Sequence, residues 1–233
     1  MYVLHYAPDN ASGVIRLALE ELRQPYRTSL VDRGAAMQKG PDYRGLNPLG
    51  LIPTLETADG PIFETAAILM WLSEQHGGLA PPPGTAARGH FLKWLFFLSN
   101  TLHADLLVLF NTDRYVAPDG AAALRDRTAE RLIGHFDMLE QAATCQTGVF
   151  GLLGPGVSPT VVDLYIVFLM RWSVLYPMDG AHWFEPTRWT NLLLIARRME
   201  IRASARSVAK AEGLGPTPFS APIHPDPPEG SAT

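Results

Sequence analysis

The sequence predicts an α/β domain of strand-helix order βαβ(α)ββα followed by an all-helical domain, and three observations predict it. The first thirty residues read as strand, helix, strand. The stretch Asn47 to Pro81 opens with a turn, continues as a hairpin and ends in a helix. Beyond the Pro-rich segment Ala80-Pro81-Pro82-Pro83-Gly84 no strand pattern appears, and apolar residues recur at helical spacing.

Residues 2–7 are rich in tyrosine and valine, as a strand is. Pro8 to Ser12 is a turn, and Ile15, Ala18, Leu19 and Leu22 then mark one face of a helix that Gln24-Pro25 ends. Tyr26 to Val31 is a second strand, expected to run parallel to the first through a right-handed crossover. Residues 34–46 are polar and interrupted by glycine and Pro41, which predicts short, irregular helix. Asn47-Pro48-Leu49-Gly50 is a turn before the β run Pro53 to Thr57. Asp59-Gly60 is a hairpin signal between that run and Pro61-Ile62-Phe63. Glu64-Thr65 then begins a helix with Ile68, Leu69 and Leu72 inward and Gly77-Gly78 at its end.

The boundaries that follow are an α/β domain over residues 1–79, a linker over 80–85 and a helical domain over 86–213. Residues 86–113 carry the stripe Phe91, Leu95, Leu98, Leu102, Leu106, broadened by Trp94, Phe97 and Leu109. A helix so apolar around its circumference belongs in a bundle core or a subunit interface. Residues 120–144 form a second helix ending near a turn at Gly148. Thr160 and Asp163 have capping-box spacing at the start of a third, with Val157 placed for a staple-like contact. Two more helices fall near 187–200 and 203–212. Arg197, Arg198 and Arg202 read as solvated faces, and residues 214–233, with six prolines, as a poorly ordered tail.

A net charge of −4 over 233 residues gives no footprint for nucleic acid or an anionic membrane. No run approaches eighteen uninterrupted apolar residues, so no membrane span is expected. Cys145 is the only cysteine; it excludes a disulfide within the chain and a Cys-x-x-Cys redox pair, and fits a reducing, cytoplasmic setting. No His/Cys/Asp cluster has metal-ligand spacing, so no metal is expected, and there is no Gly-rich phosphate loop.

Two features of Asn47 to Pro81 are chemical. Ile52-Pro53 places a proline at a strand start, compatible with a cis bond that turns the Ile52 backbone out as a free hydrogen-bonding edge. Glu64-Thr65 opens a helix, where free N–H groups and the dipole favour a carboxylate, the Thr65 hydroxyl adds a donor, and Glu64 can accept an ammonium. A peptide edge beside an amino-acid anchor suits a small peptide with a free α-amino acid end.

That order and spacing resembles the soluble glutathione S-transferase family, over residues 2 to about 213. The resemblance implies a thioredoxin-like N-terminal domain, a homodimer, and attack by the glutathione thiolate on a small hydrophobic electrophile, as in detoxification. It assigns the cysteinyl backbone of glutathione to Ile52 beside Pro53, and the γ-glutamyl end to Glu64 and Thr65. The family has the same Ser/Thr-x-x-Asp signal as Thr160/Asp163, read here as a folding element. For the glycine carboxylate, Gln38 and Lys39 are the candidates, since Leu51 departs from the family's polar residue. The catalytic position does not carry over cleanly. Ala11 falls where the bacterial beta-class enzymes place cysteine, and Tyr6 lies too far inside its strand to match the tyrosine-type enzymes. Ser12, the only hydroxyl at the helix start, is therefore slightly favoured over Asn10 as the donor to the thiolate. Thr101-Leu102-His103 resembles a Glu-Leu-His segment of the beta class, which makes His103 a candidate for the electrophile pocket. A non-catalytic binding or scaffold protein of the same fold is the alternative.

Overall fold

The computed structural model describes residues 1–144, 149–154, 158–178 and 183–232; Cys145, Gly148 and Val157 lie outside them. The chain divides into two units, residues 1–80 together with 200–233, and residues 81–199.

The first unit is built on a four-stranded sheet of order β2-β1-β3-β4. The strands are β1 (Tyr2–Tyr6), β2 (Tyr26–Leu30), β3 (Thr54–Thr57) and β4 (Gly60–Phe63). β1 pairs parallel with β2 through the crossover helix α1 (Ser12–Glu21), and antiparallel with β3. A short 3-10 turn, Met37–Lys39, and helix α2 (Pro41–Leu46) fill the polar stretch. The β3–β4 hairpin turns at Asp59-Gly60, with Gly60 at φ +117, a value open to glycine and strained for other residues. Helix α3 (Thr65–His76) packs against α1 and β4, burying Ile68, Leu69 and Leu72.

Register fixes where the chemistry lies. His5 pairs with Thr54 and Thr54 with Phe63. The loop after β1, the Ile52-Pro53 entry to β3 and the Glu64-Thr65 exit from β4 therefore emerge at one end of the sheet.

The second unit is helical among its described residues. α4 (Ala86–Phe97), a π turn (Leu98–Leu102) and α5 (His103–Phe110) form one continuous rod. By length and composition this rod, Ala86–Phe110, matches a membrane span, with a mean hydropathy of 1.2 in its most apolar window, of which 28% is buried within the chain. The expectation of no such segment rested on uninterrupted runs. The rod contains Arg88, Lys93 and Asp105 and reaches this hydropathy all the same. α6 (Ala121–Thr144) packs on α5. α7 (Val161–Leu175) is the core, with every residue but Val174 buried, Arg171 included. α8 (Thr190–Glu200) follows. The capping box at α7 forms. Asp163 Oδ2 accepts from the backbone N–H of Thr160 at 2.7 Å and of Gly151 at 2.8 Å, and the Thr160 hydroxyl donates to Val149 O at 2.7 Å. Burial pushes the Asp163 carboxyl up to about 7, against the opposing pull of those donors.

The C-terminal segment departs from expectation in two ways. α9 (Ala203–Glu212) belongs to the first unit, lying along α1. Arg202, expected on a solvated face, puts its guanidinium fork on Glu21 at 2.6 and 2.8 Å, and Ser204 donates to the same carboxylate. Burial acts to raise the Glu21 pKa, and these donors outweigh it, leaving the pKa lowered. Residues 214–232, expected from their prolines to be poorly ordered, instead pack on the same unit, with Leu214 and Phe219 fully buried. Asp226 N–H donates to Gly213 O at 2.9 Å, and a Cβ on Gly213 would meet Asp226 O at 1.9 Å, so only glycine allows that approach. Farther on, Tyr6 donates to Glu229, Gly230 lies against Leu30 and Pro8, and Arg33 donates to Ala232 O at 2.5 Å. Proline-rich chain needs no internal hydrogen bonds, so composition alone does not tell a packed strap from a solvated tail.

Candidate active site

The Ile52–Pro53 peptide is cis. The chain reaches it through a clamped carbonyl: Leu51 O accepts from the Tyr43 hydroxyl and from Asn47 Nδ2, each at 2.7 Å. Tyr43 is buried on α2 and also bonds Thr54 Oγ1 at 3.0 Å. These two side chains thus hold the peptide edge at Ile52 from the polar stretch beside it. Neither was expected to do so. Asn47 read as a turn former, and Tyr43 has no sequence signal beyond an aromatic in a short helix.

Glu64 sits at φ 73, ψ 113, a strained conformation for a residue with a side chain, and its carbonyl accepts the first bond of α3 from Ile68 N–H. Its carboxylate is exposed and makes no hydrogen bond among the described residues. Thr65 is the first residue of α3, so its N–H, together with that of Ala66, points out of the helix end. Carboxylate acceptor and N–H donors side by side match the two charges of an α-amino acid end. Gln38 stands beside Gly50, whose Cβ would lie 2.6 Å from Gln38 O, and its buried side-chain Oε1 has no hydrogen-bond partner among the described residues. Lys39 is exposed at the end of the same short turn.

In the loop after β1 the two candidate donors separate. Ser12 has no exposed surface; its hydroxyl donates to Ala7 O at 3.0 Å and lies 3.3 Å from Ala7 N–H, which it can accept. Both capacities are spent closing the loop on itself, so the slight preference for Ser12 as thiolate donor is reversed. Asn10 is half-buried. Its Oδ1 accepts from Ala11 N–H at 2.8 Å, which leaves the NH2 group as a donor. Tyr6 is buried, and burial followed by its bond to Glu229 pushes the phenol up to about 12, so it stays protonated.

A family model described as the glutathione S-transferase N-terminal domain matches residues 12–75. A GST-like protein of Escherichia coli K12, YncG, is 30% identical over 152 residues, covering 65% of this chain and 68% of that protein. The chain belongs to the glutathione S-transferase family. Glutathione S-transferase GST-4.5 of Xanthomonas campestris is 27% identical over 218 residues, 91% of this chain and 98% of its own. A sphingomonad glutathione S-transferase, solved in complex with glutathione, shares the fold with a TM-score of 0.75 at 24% identity, over 91% of this chain and 100% of that one.

Within this member of the glutathione S-transferase family, His103 belongs to the helical unit. Its Nδ1 lies 2.7 Å from the Tyr165 hydroxyl, and its ring is tilted over Trp172 at 5.4 Å. Burial lowers its pKa to about 4, so the imidazole is neutral at physiological pH and offers Nε2 for a hydrogen bond rather than a charge. Two histidines without an expected role have partners. His5 Nε2 is 2.7 Å from Glu56 Oε1, and His135 Nε2 is 3.0 Å from Asp105, which also takes the fork of Arg131. Asp105 is thereby engaged on its own unit.

Proposed function

We propose that this protein conjugates the glutathione thiolate to a small apolar electrophile. The observation that carries the reading is the shared end of the sheet where Ile52, Glu64, Thr65 and the loop holding Asn10 emerge. The Ile52 backbone pairs with the cysteinyl unit of glutathione. Thr65 N–H and hydroxyl take the γ-glutamyl carboxylate, Glu64 its ammonium, and Gln38 the glycine end. The Asn10 NH2 donates to the sulfur, where a donor near a helix N-terminus favours thiolate over thiol. The thiol proton passes to solvent and the thiolate attacks carbon, either by addition to an activated double bond, whose displaced electron pair is then protonated by water, or by substitution, in which the leaving group departs with the bonding pair; the thioether conjugate is released with no covalent enzyme intermediate. Support for glutathione itself comes from family membership and from the sphingomonad relative's complex.

A panel of electrophiles compared across wild type, Asn10→Ala and Ser12→Ala tests the assignment. Asn10→Ala is expected to lower kcat by about 10- to 100-fold, the loss of one donor to a developing anion. Ser12→Ala is expected to lower stability more than rate, since it removes a buried clip. Equal rates in wild type and Asn10→Ala would discard the catalytic role of Asn10. The absence of cysteine at Ala11 and the occupied Ser12 hydroxyl favour a second reading, a glutathione-binding protein without transferase activity. Tight glutathione binding with no turnover across the panel is its signature.

The cytoplasm is the proposed setting, on the single cysteine, and the proposed assembly is a homodimer. The rod Ala86–Phe110 buries Phe91, Leu95, Leu98, Leu102 and Leu106 on one side while Phe96 and Leu107 stand exposed. A second copy covering that side is the simplest way to remove it from water. Light scattering on the eluting protein should give twice the chain mass of 25.5 kDa; a monomer mass rejects the dimer.

A further inference from the structure

The end of α9 reaches the candidate thiol site from behind. Glu212, its last residue, has no exposed surface. One carboxylate oxygen accepts from Asp9 N–H at 3.0 Å; the other lies 3.3 Å from Nε of the buried Arg16 on α1. The Arg16 guanidinium in turn stands over the Tyr6 ring, 4.5 Å from its centre. Asp9 stands at φ 48, a region that aspartate enters more readily than most residues with a side chain, and it is the N–H of this turn residue that Glu212 takes. The residue after that turn is Asn10, and the next N–H, that of Ala11, is the one that orients the Asn10 carboxamide.

We propose that Glu212 is a positioning residue for the thiol site. Its carboxylate, charge-paired with Arg16, pins the Asp9 backbone in the left-handed turn and so aims the Asn10 NH2 at the glutathione sulfur. This rests on the glutathione-conjugating reading above. A charge-assisted bond to a backbone N–H is about twice as strong as a neutral one, and no solvent competes at this depth. The glutathione anchor at Ile52, Glu64 and Thr65 shares no residue with this network. Disturbing it therefore displaces the sulfur's partner and leaves the handle of the substrate in place.

The test uses the full chain. Glu212→Leu combined with Arg16→Met removes the acceptor without stranding a buried charge, a replacement that proteins commonly tolerate. Its kcat is expected to fall about 10- to 100-fold, the cost of a catalytic group set wrongly by an ångström, with KM for glutathione within about threefold of wild type. The Asp9 amide, protected from hydrogen exchange in the free wild-type protein, is expected to exchange faster in the double variant. Glu212→Gln keeps an acceptor and is expected to restore both protection and kcat to within about threefold. If Glu212→Gln does not fold, the double variant decides alone. An active wild type and a double variant of equal kcat overturn the role of Glu212. So does a parallel loss of glutathione affinity, thermal stability and kcat, which marks a merely structural contact. A wild type that neither binds nor turns over glutathione overturns the conjugation reading instead, and the role in aiming Asn10 falls with it.

Discussion

Calorimetry with glutathione is expected to show at least a hundredfold weaker binding in Glu64→Ala/Thr65→Ala than in wild type, about 3 kcal/mol for an ammonium contact and a hydroxyl lost together. Both residues stand at the start of α3, with no hydrogen bond to the Glu64 carboxylate among the described residues to lose. The effect should thus appear in binding and not in folding. Glu64→Gly sharpens the point. At φ 73, ψ 113 the side chain of Glu64 sits in a backbone conformation costing about 1–3 kcal/mol, which glycine relieves. The added freedom of glycine in the unfolded chain costs about 0.4–1 kcal/mol. Relief outweighs cost, so Glu64→Gly is expected to be as stable as wild type or more so in denaturant titration, while binding glutathione more weakly. A position held under strain that costs stability and is needed for binding is the signature of a functional site. A Glu64→Gly protein that binds glutathione like wild type would remove Glu64 from the anchor.

Asp163→Ala is expected to cost about 3–5 kcal/mol, because the N–H groups of Thr160 and Gly151 lose their acceptor with no water to replace it. Against a total of about 5–15 kcal/mol for an ordinary domain, that leaves the helical unit marginal. The pH dependence gives a second readout. The folded Asp163 carboxyl lies near 7 against its usual 3.8, so folding favours its proton, and its contribution falls as pH rises from about 4 to 7. His103 has the opposite sign. Its folded value is lowered to about 4 from the usual 6.5, so its contribution is complete above 6.5 and is lost as pH falls toward 4. Between pH 4 and 6.5 the two slopes oppose each other. Stability of Asp163→Asn is therefore expected to rise with pH more steeply than wild type over that window, and of His103→Gln less steeply or to fall. Parallel stability curves for wild type and both variants would contradict both shifts.

Signals for turns, helix starts and caps were legible in the sequence. The hairpin at Asp59-Gly60, the helix opened by Glu64-Thr65 and the capping box at Thr160/Asp163 are each coded within a few residues, and each forms where its signal lies. Side-chain partners were not legible, whether near in the chain or far. Ser12 reads equally as a cap, a clip or a thiol donor until Ala7 is seen on both its hydrogen bonds. Arg202 reads as a solvated cation until Glu21, 181 positions away, takes its fork. Tyr43 and Asn47 are ordinary residues until the Leu51 carbonyl lies between them. Buried charges need partners, and the rule says nothing about where in the chain the partner will be.

The division of the first unit, residues 1–80 with 200–233, has a consequence for synthesis. Ribosomes add roughly 5–20 residues per second, and domains fold as they emerge, N-terminal ones first. Glu212 is made roughly 130 residues after Ala80, on the order of ten seconds later at that rate. Throughout that interval Arg16 on α1 and the Asp9 N–H lack the Glu212 carboxylate, while residues 81–199 can already be folding. The unit translated first is thus the one completed last, and the face of α1 that α9 covers, Arg16 included, stays open to water until that helix arrives.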